Sequence, residues 1–186
     1  MGGAAAREPR LGVDIGRVII AGPEHRDDPG DPRSMEREDT AFFGADDAAA
    51  LRTPAVEGAF MALAGLVDAF EGRVWLVSKA SERSRRRSTA WLDHHGFWTV
   101  TGIARDAVRF CFERHEKAPI ARDLGLTHMV DDRIDVHVAL RGIVPHRFLF
   151  GGTPEQDRLG RLLDEDVVVT PTWGEADRAV RATLAR

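Results

Sequence analysis

Six residues of this 186-residue chain share types and places that suit one chemistry. Asp14 follows the apolar run LGV. Ser78 and Lys79 follow VWLV. Lys117 opens the segment KAPIARDLGL, and Asp131 and Asp132 follow HMV. Carboxylates grouped without His or Cys are hard oxygen ligands and favour Mg²⁺. A small hydroxyl and an ammonium beside Mg²⁺ suit a phosphoryl group, whose transfer needs charge neutralisation and in-line positioning. An Asp in such a place can act as a nucleophile and form an aspartyl-phosphate.

Such side chains matter only if the fold gathers them. Apolar runs over Leu11–Ala21, Arg73–Val77, Thr127–Val130, His146–Phe150 and Val167–Thr170 read as strands. Helical patterns fall between them. One begins at Thr53, with a stripe of Val56, Phe60, Leu63, Leu66, Val67 and Phe70, and ends at Gly72. Another is capped by Ser81 and runs to Gly96. Short helices are expected over Ala107–His115, over Lys117–Leu124 ending at Gly125, over Ile134–Arg141 ending at Gly142, and near Pro154–Leu163. A last one starts at Trp173, while Phe97–Ile103 reads as a weak strand or turn. The alternation predicts one α/β domain over residues 1–186, a Rossmann-like three-layer sandwich with a central parallel sheet. Residues 1–9 read as a loose tail and 21–52 as a polar flap or loop insertion. Ligands of such sheets sit beyond the carboxyl ends of the strands, at a switch point. The six residues fall at strand ends or at a helix start.

At these residues the sequence resembles the haloacid dehalogenase (HAD) superfamily. The order matches: GVDIGRVI, VWLVSKA, EKAPIARDLGL and HMVDDRIDV, spanning about Leu11 to Gly151. The resemblance implies a HAD-like fold and a Mg²⁺-dependent hydrolase acting on a phosphorylated small-molecule substrate through an aspartyl-phosphate. It implies that Asp14 is the nucleophile and a Mg²⁺ ligand, and that Ser78 hydrogen-bonds the phosphoryl oxygens. Lys117 would neutralise developing charge and restrain Asp14. Asp131 or Asp132, with the Gly16 carbonyl, would complete the metal site. The chain departs from the family at Gly16, where phosphatases of the superfamily usually carry a second Asp as general acid and base. That help is typically worth about 10²–10⁴-fold. Flap residues Asp27, Asp28, Asp31, Glu36 and Glu38 are candidates to replace it. The flap is too short and polar for a large cap domain, so little or no cap is expected. The departure also leaves room for a catalytically weakened HAD-fold protein that binds a phosphorylated ligand or partner, or for a non-phosphatase chemistry such as dehalogenation.

Each motif has a plainer reading. Ser78 can be a helix cap, and one of Asp131 and Asp132 can cap the next helix, although two adjacent carboxylates repel without a cation. Only two of the 26 basic residues are lysines, Lys79 and Lys117, which marks them where an arginine would serve as a surface charge. Lys79 reads as a surface charge or a second phosphate contact. The run Arg83, Arg85, Arg86 and Arg87 reads as a solvated face, the histidines as surface or packing residues, and Cys111 as a small buried apolar residue. A net charge of −4 argues against nonspecific nucleic-acid binding. No apolar run reaches the roughly 18 residues that span a bilayer, and no apolar leader opens the chain. A single cysteine excludes an internal disulfide framework; together these features lead to the expectation of a cytoplasmic protein.

Overall fold

Six short strands make one sheet: β1 (Leu11–Val13), β2 (Val74–Lys79), β3 (Val108–Cys111), β4 (His128–Asp131), β5 (His146–Phe150) and β6 (Val167–Thr170). Every pair is parallel and the order is β3-β2-β1-β4-β5-β6. A computed structural model describes residues 8–22, 46–151 and 166–184. The helices are α1 (Asp47–Leu51), α2 (Ala59–Ala69), α3 (Glu82–His94), α4 (Phe97–Thr101), α5 (Lys117–Leu124), α6 (Ile134–Ala139) and α7 (Trp173–Leu184).

Side chains alternate across a strand, and here the alternation feeds two cores. Leu11, Val13, Val74, Leu76, Val130 and Phe148 pack on one face with Leu63, Leu66, Trp91 and Val180 from α2, α3 and α7. Val77 and Met129 pack on the other face with Ala121 and Val136 from α5 and α6. Helices therefore cover both faces, giving the three-layer α/β sandwich expected from the alternation. Both faces of a parallel sheet must be covered, which is why the strands read as unbroken apolar runs. No helix among the described residues is long and apolar enough to cross a membrane.

Several local expectations need correction. The run Leu11–Ala21 is not one strand. β1 stops at Val13, and Ile19 and Ile20 donate back to the Ile15 carbonyl in a turn. Burial of Val18, Ile19 and Ile20 makes this turn look like strand. The helix read from Thr53 starts at Ala59, because residues 54–56 pair with 19–21 instead: Ala21 donates to Pro54 and Val56 to Ile19. Phe97–Thr101 is helix α4, not strand or turn. Phe97, Trp98 and Thr101 are its buried residues, and packing overrides the β preference of aromatic and β-branched side chains. Val108–Cys111 is the edge strand β3, not a helix. Arg109 is its exposed residue and the chain alternates as a strand should. Within the expected flap, Asp47–Leu51 is helical and Asp46 caps it by accepting from Ala49 N at 2.6 Å. Ser81 caps α3 by accepting from Ser84 N at 3.3 Å, and Gly125 ends α5 at φ 64°. The flap acids Asp27 to Glu38 and the helix near Pro154–Leu163 lie outside the described residues.

Candidate functional site

From β1 the sheet order runs outward through β2 and β3, then returns to β4 on the other side of β1. That reversal is the switch point, where helices diverge and leave a crevice beyond the carboxyl ends. Val13 pairs with Val130 across it, so Asp14 leaves β1 where β4 delivers Asp131 and then Asp132. Lys117, the first residue of α5, enters the same place. Its Nζ donates to Asp131 Oδ2 at 2.6 Å and lies 2.9 Å from Asp14 Oδ1. Asp14, Asp131 and Asp132 each bring a carboxylate oxygen to within 4.8 Å of the others. Among the described residues no other three His, Cys, Asp or Glu side chains gather closely enough to hold a metal ion.

The structure thus brings together four of the residues singled out in the sequence. Ser78 ends buried on β2, beside β1, but its Oγ makes no hydrogen bond to Asp14, Lys117 or Asp131. Gly16 is exposed two residues past Asp14, and a Cβ added there would meet nothing within 4 Å among the described residues. Lys79 is half-buried opposite Cys111 on β3. Cys111 itself is buried, with its thiol 3.7 Å from the Ser78 carbonyl, and burial pushes the thiol pKa up. Neither Asp131 nor Asp132 is the N-cap of α6; that position is Arg133, whose N–H donates to Asp131 Oδ1 at 2.9 Å.

Three further residues were not singled out. Arg17 Nε lies 3.1 Å from Asp132 Oδ2. His137 donates from Nε2 to the Asp131 carbonyl at 3.0 Å, and Arg133 supplies the backbone donor just described. The only sequence sign for Arg17 is that it adjoins Gly16. His137 gives none, since a buried helix histidine reads as packing.

Charge is out of balance in this cluster. Asp131 and Lys117 are almost fully buried and Asp14 is 7% exposed. Burial pushes the Asp131 carboxyl up to about 8; the ammonium of Lys117 opposes this, and the charges of Asp14 and Asp132 add to it. Burial likewise raises Asp132 to about 6, with Arg17 opposing and Asp14 adding. Burial alone would lower the Lys117 ammonium, yet the charges of Asp131 and Asp14 more than offset it and hold the group protonated. Asp14 Oδ1 is also a buried acceptor without a hydrogen bond, because the nearby ammonium sits at ion-pair distance but off hydrogen-bond alignment.

These observations fit a small divalent cation. The donors are all oxygen, one acceptor is orphaned, and the net negative charge would fall on binding. Asp14, Asp131 and Asp132 are the residues that could hold it. The arrangement can also position a nucleophilic carboxylate, since Lys117 Nζ lies 2.9 Å from Asp14 Oδ1 and fixes its place. Comparison of the sequence with protein-family models finds no match, and comparison with curated proteins finds none either.

Proposed function

We propose that this chain is a Mg²⁺-dependent hydrolase of the haloacid dehalogenase type, acting on a phosphorylated small molecule through an aspartyl-phosphate on Asp14. The observation that carries the reading is the Lys117 bridge between Asp14 and Asp131 at the switch point, with Asp132 in the same cluster. A buried ammonium shared by two carboxylates offsets their charge and fixes the orientation of each. Among the three carboxylates, Asp14 alone has a buried oxygen without a hydrogen bond.

In this reading Asp14 attacks phosphorus, the bond from phosphorus to the leaving oxygen breaks, and that oxygen departs with the bonding pair. Water then attacks the acyl phosphate and returns Asp14 as a carboxylate. Lys117 holds Asp14 in line and offsets charge gathering on the phosphoryl oxygens. Ser78, at the neighbouring strand end, supplies a hydroxyl for a phosphoryl oxygen. Bound Mg²⁺, held by Asp14, Asp131 or Asp132 and the Gly16 carbonyl, would neutralise phosphate charge and act as a Lewis acid. His137 and the Arg133 N–H keep Asp131 in place.

Gly16 favours a second reading, a HAD-fold protein that binds a phosphorylated ligand or partner without turnover. A Cβ there would meet nothing within 4 Å among the described residues, so the space that an acid would take is unfilled by them. One experiment separates the two. Phosphate release from acetyl phosphate and aryl phosphates is measured with Mg²⁺ for wild type and Asp14→Asn. The hydrolase reading expects the variant to lose more than about 10³-fold while its circular dichroism is unchanged. Equal rates would remove Asp14 from the chemistry. Absence of cleavage by wild type, with phosphate still bound, would favour the binding protein.

A further inference from the structure

The run Arg83, Arg85, Arg86 and Arg87 is not one solvated face. Arg83 and Arg86 are exposed, while Arg87 is buried with its Nε 2.8 Å from Asp47 Oδ1. Arg85 is half-buried and turned toward the edge strand β3. Its Nε donates to the Ala80 carbonyl at 3.2 Å, and its guanidinium carbon lies 4.3 Å from the ring centre of Phe112 and 5.6 Å from that of Phe110. Stacking on a ring fixes the plane of a guanidinium and leaves its terminal N–H groups open. Among the described residues neither terminal nitrogen of Arg85 makes a hydrogen bond or an ion pair. Glu116 is committed elsewhere, since its Oε2 accepts from Phe112 N at 2.8 Å and from Glu113 N at 2.9 Å. Phe112 is itself 57% exposed, a large aromatic ring with one more face to cover.

These groups belong to the carboxyl end of the sheet. Ala80 stands just past β2 and Phe112 just past β3, as Asp14 stands just past β1, and the three strands are consecutive in the sheet. Neighbouring strands are about 4.8 Å apart, so Arg85 lies one to two spacings from Asp14, roughly 5–10 Å. Glu116, bonded to the Phe112 backbone, directly precedes Lys117, whose Nζ lies 2.9 Å from Asp14 Oδ1. The Cys111 thiol on β3 senses the charges of Lys117, Asp14 and Arg85 together.

We propose that Arg85 selects the substrate of the Asp14 site by holding a carboxylate at the end remote from the phosphoryl group, with Phe112 under the carbon frame between them. The proposal rests on Asp14 as the phosphoryl acceptor. The open edge of a guanidinium presents two parallel N–H groups, which match the two oxygens of a carboxylate. A second phosphoryl group would bring close to two negative charges against a single cation, beside a cluster already rich in carboxylates. The substrate class is therefore a phosphate ester or acyl phosphate of a small carboxylic acid. Its apolar ring or chain rests on Phe112. The held carboxylate takes no part in making or breaking bonds. It binds equally in the ground state and the transition state, so it acts on KM.

The test compares para-carboxyphenyl phosphate with its neutral isostere para-carbamoylphenyl phosphate, at saturating Mg²⁺, for wild type, Arg85→Lys and Arg85→Gln. Any difference in leaving group is the same for each protein, so the ratio of kcat/KM values isolates recognition of the charge. Wild type should prefer the carboxylate by roughly 10–10²-fold, the range for a hydrogen bond to a charged group. Arg85→Gln should abolish that preference, chiefly through KM. Arg85→Lys keeps the charge without the fork and should retain part of it. Inhibition of wild type is measured alongside: benzoate should compete with substrate and benzamide should not, a result that needs no variant to fold. Equal kcat/KM for the two esters in wild type, a preference that survives in Arg85→Gln, or equal inhibition by benzoate and benzamide would each overturn the proposal. Asp14→Asn keeps the two readings apart. If it cleaves para-carbamoylphenyl phosphate as fast as wild type, or wild type cleaves neither ester, the phosphoryl-transfer reading itself falls and takes this proposal with it.

Discussion

β1 and β4 run side by side, and their two ends handle buried polarity in opposite ways. At the amino ends the polar groups are neutral and close into a circuit. Arg10 N donates to Thr127 Oγ1 at 2.8 Å, and Thr127 Oγ1 lies 2.7 Å from His128 Nδ1. His128 Nε2 lies 2.8 Å from Thr183 Oγ1, which donates to the Val180 carbonyl at 2.6 Å. Because Thr183 spends its proton on Val180, Nε2 is the donor of a neutral His128, and Nδ1 competes with the Arg10 carbonyl, 3.1 Å away, for the Thr127 hydroxyl proton. Burial, helped by His146, pushes its pKa down to about 3 and keeps it neutral. At the carboxyl ends, three carboxylates face one buried ammonium and a half-exposed guanidinium. A satisfied neutral network can be buried at little net cost, whereas unbalanced charge cannot. The contrast marks the carboxyl end as the place where buried charge is left unbalanced at a cost in stability.

The largest break in this contrast is Lys117→Met. Removing one partner of a buried ion pair costs about 3–5 kcal/mol, since the carboxylates stay behind uncompensated. Urea denaturation at pH 8 should show that loss, with Mg²⁺ restoring part of it. A change below about 1 kcal/mol would mean that the acids are not charged together.

Glycines at the two ends give the next test. Among the described residues nothing crowds position 16, and its backbone is not left-handed, so Gly16→Asp should fold as well as wild type. It should raise alkyl phosphate turnover by about 10²-fold, the low end for general acid catalysis. Gly125, at the other end, sits at φ 64° near Arg10, and Gly125→Asp should lose about 1 kcal/mol with no gain in turnover. Thermal melts and initial rates on both variants decide the matter. Equal rates of alkyl and aryl cleavage by wild type would mean that some residue already supplies the proton.

The smallest effect is one of pH. Asp131 and Asp132 have folded values of about 8 and about 6 against an ordinary 3.8, so each contributes stability at low pH that is lost as pH rises through those values. His128 has a folded value of about 3 against an ordinary 6.5, so its contribution is whole above 6.5 and is lost as pH falls below it. From pH 6.5 to 8 only Asp131 acts, since Asp132 has already titrated. Metal-free protein should therefore lose stability over that interval, by denaturant midpoint, and Mg²⁺ should flatten the slope. A rise in stability there would assign Asp131 the wrong sign.

The sheet and the carboxylate cluster were legible because both rest on strong signals. Buried parallel strands give apolar runs, and Asp14, Asp131 and Asp132 break those runs at their carboxyl ends. Lys117 was legible as a rare ammonium opening a helix. Elements at the periphery were not. Val108–Cys111 is an edge strand of four residues with a charged Arg109, so its composition resembles a surface helix. Phe97–Thr101 is helical only because Phe97 and Trp98 must reach a core assembled from distant elements. The turn at Gly16–Ile20 hid in an apolar sequence, since what folds it back is the left-handed Arg17 and not a visible break. Arg17 reaches Asp132 across a long stretch of chain that no local pattern reports, while His137 bonds a carbonyl only six residues away but reads as an ordinary buried helix residue.

The joining of β1 to β4 also sets an order of events in time. The Arg10–Thr127 hydrogen bond at the start of this pair links residues 117 positions apart, whereas Lys117 and Asp131 are 14 apart. Closing so large a loop adds little to its free-energy cost, which grows only as the logarithm of length, but contacts so remote form slowly. The half of the site on α5 and β4 can assemble early as a neighbourly unit, and Asp14 arrives when the first strand slots between the two halves of the sheet. In stopped-flow refolding, far-ultraviolet circular dichroism should therefore recover before Mg²⁺ binding does. Simultaneous recovery would show that the first strand is in place from the outset.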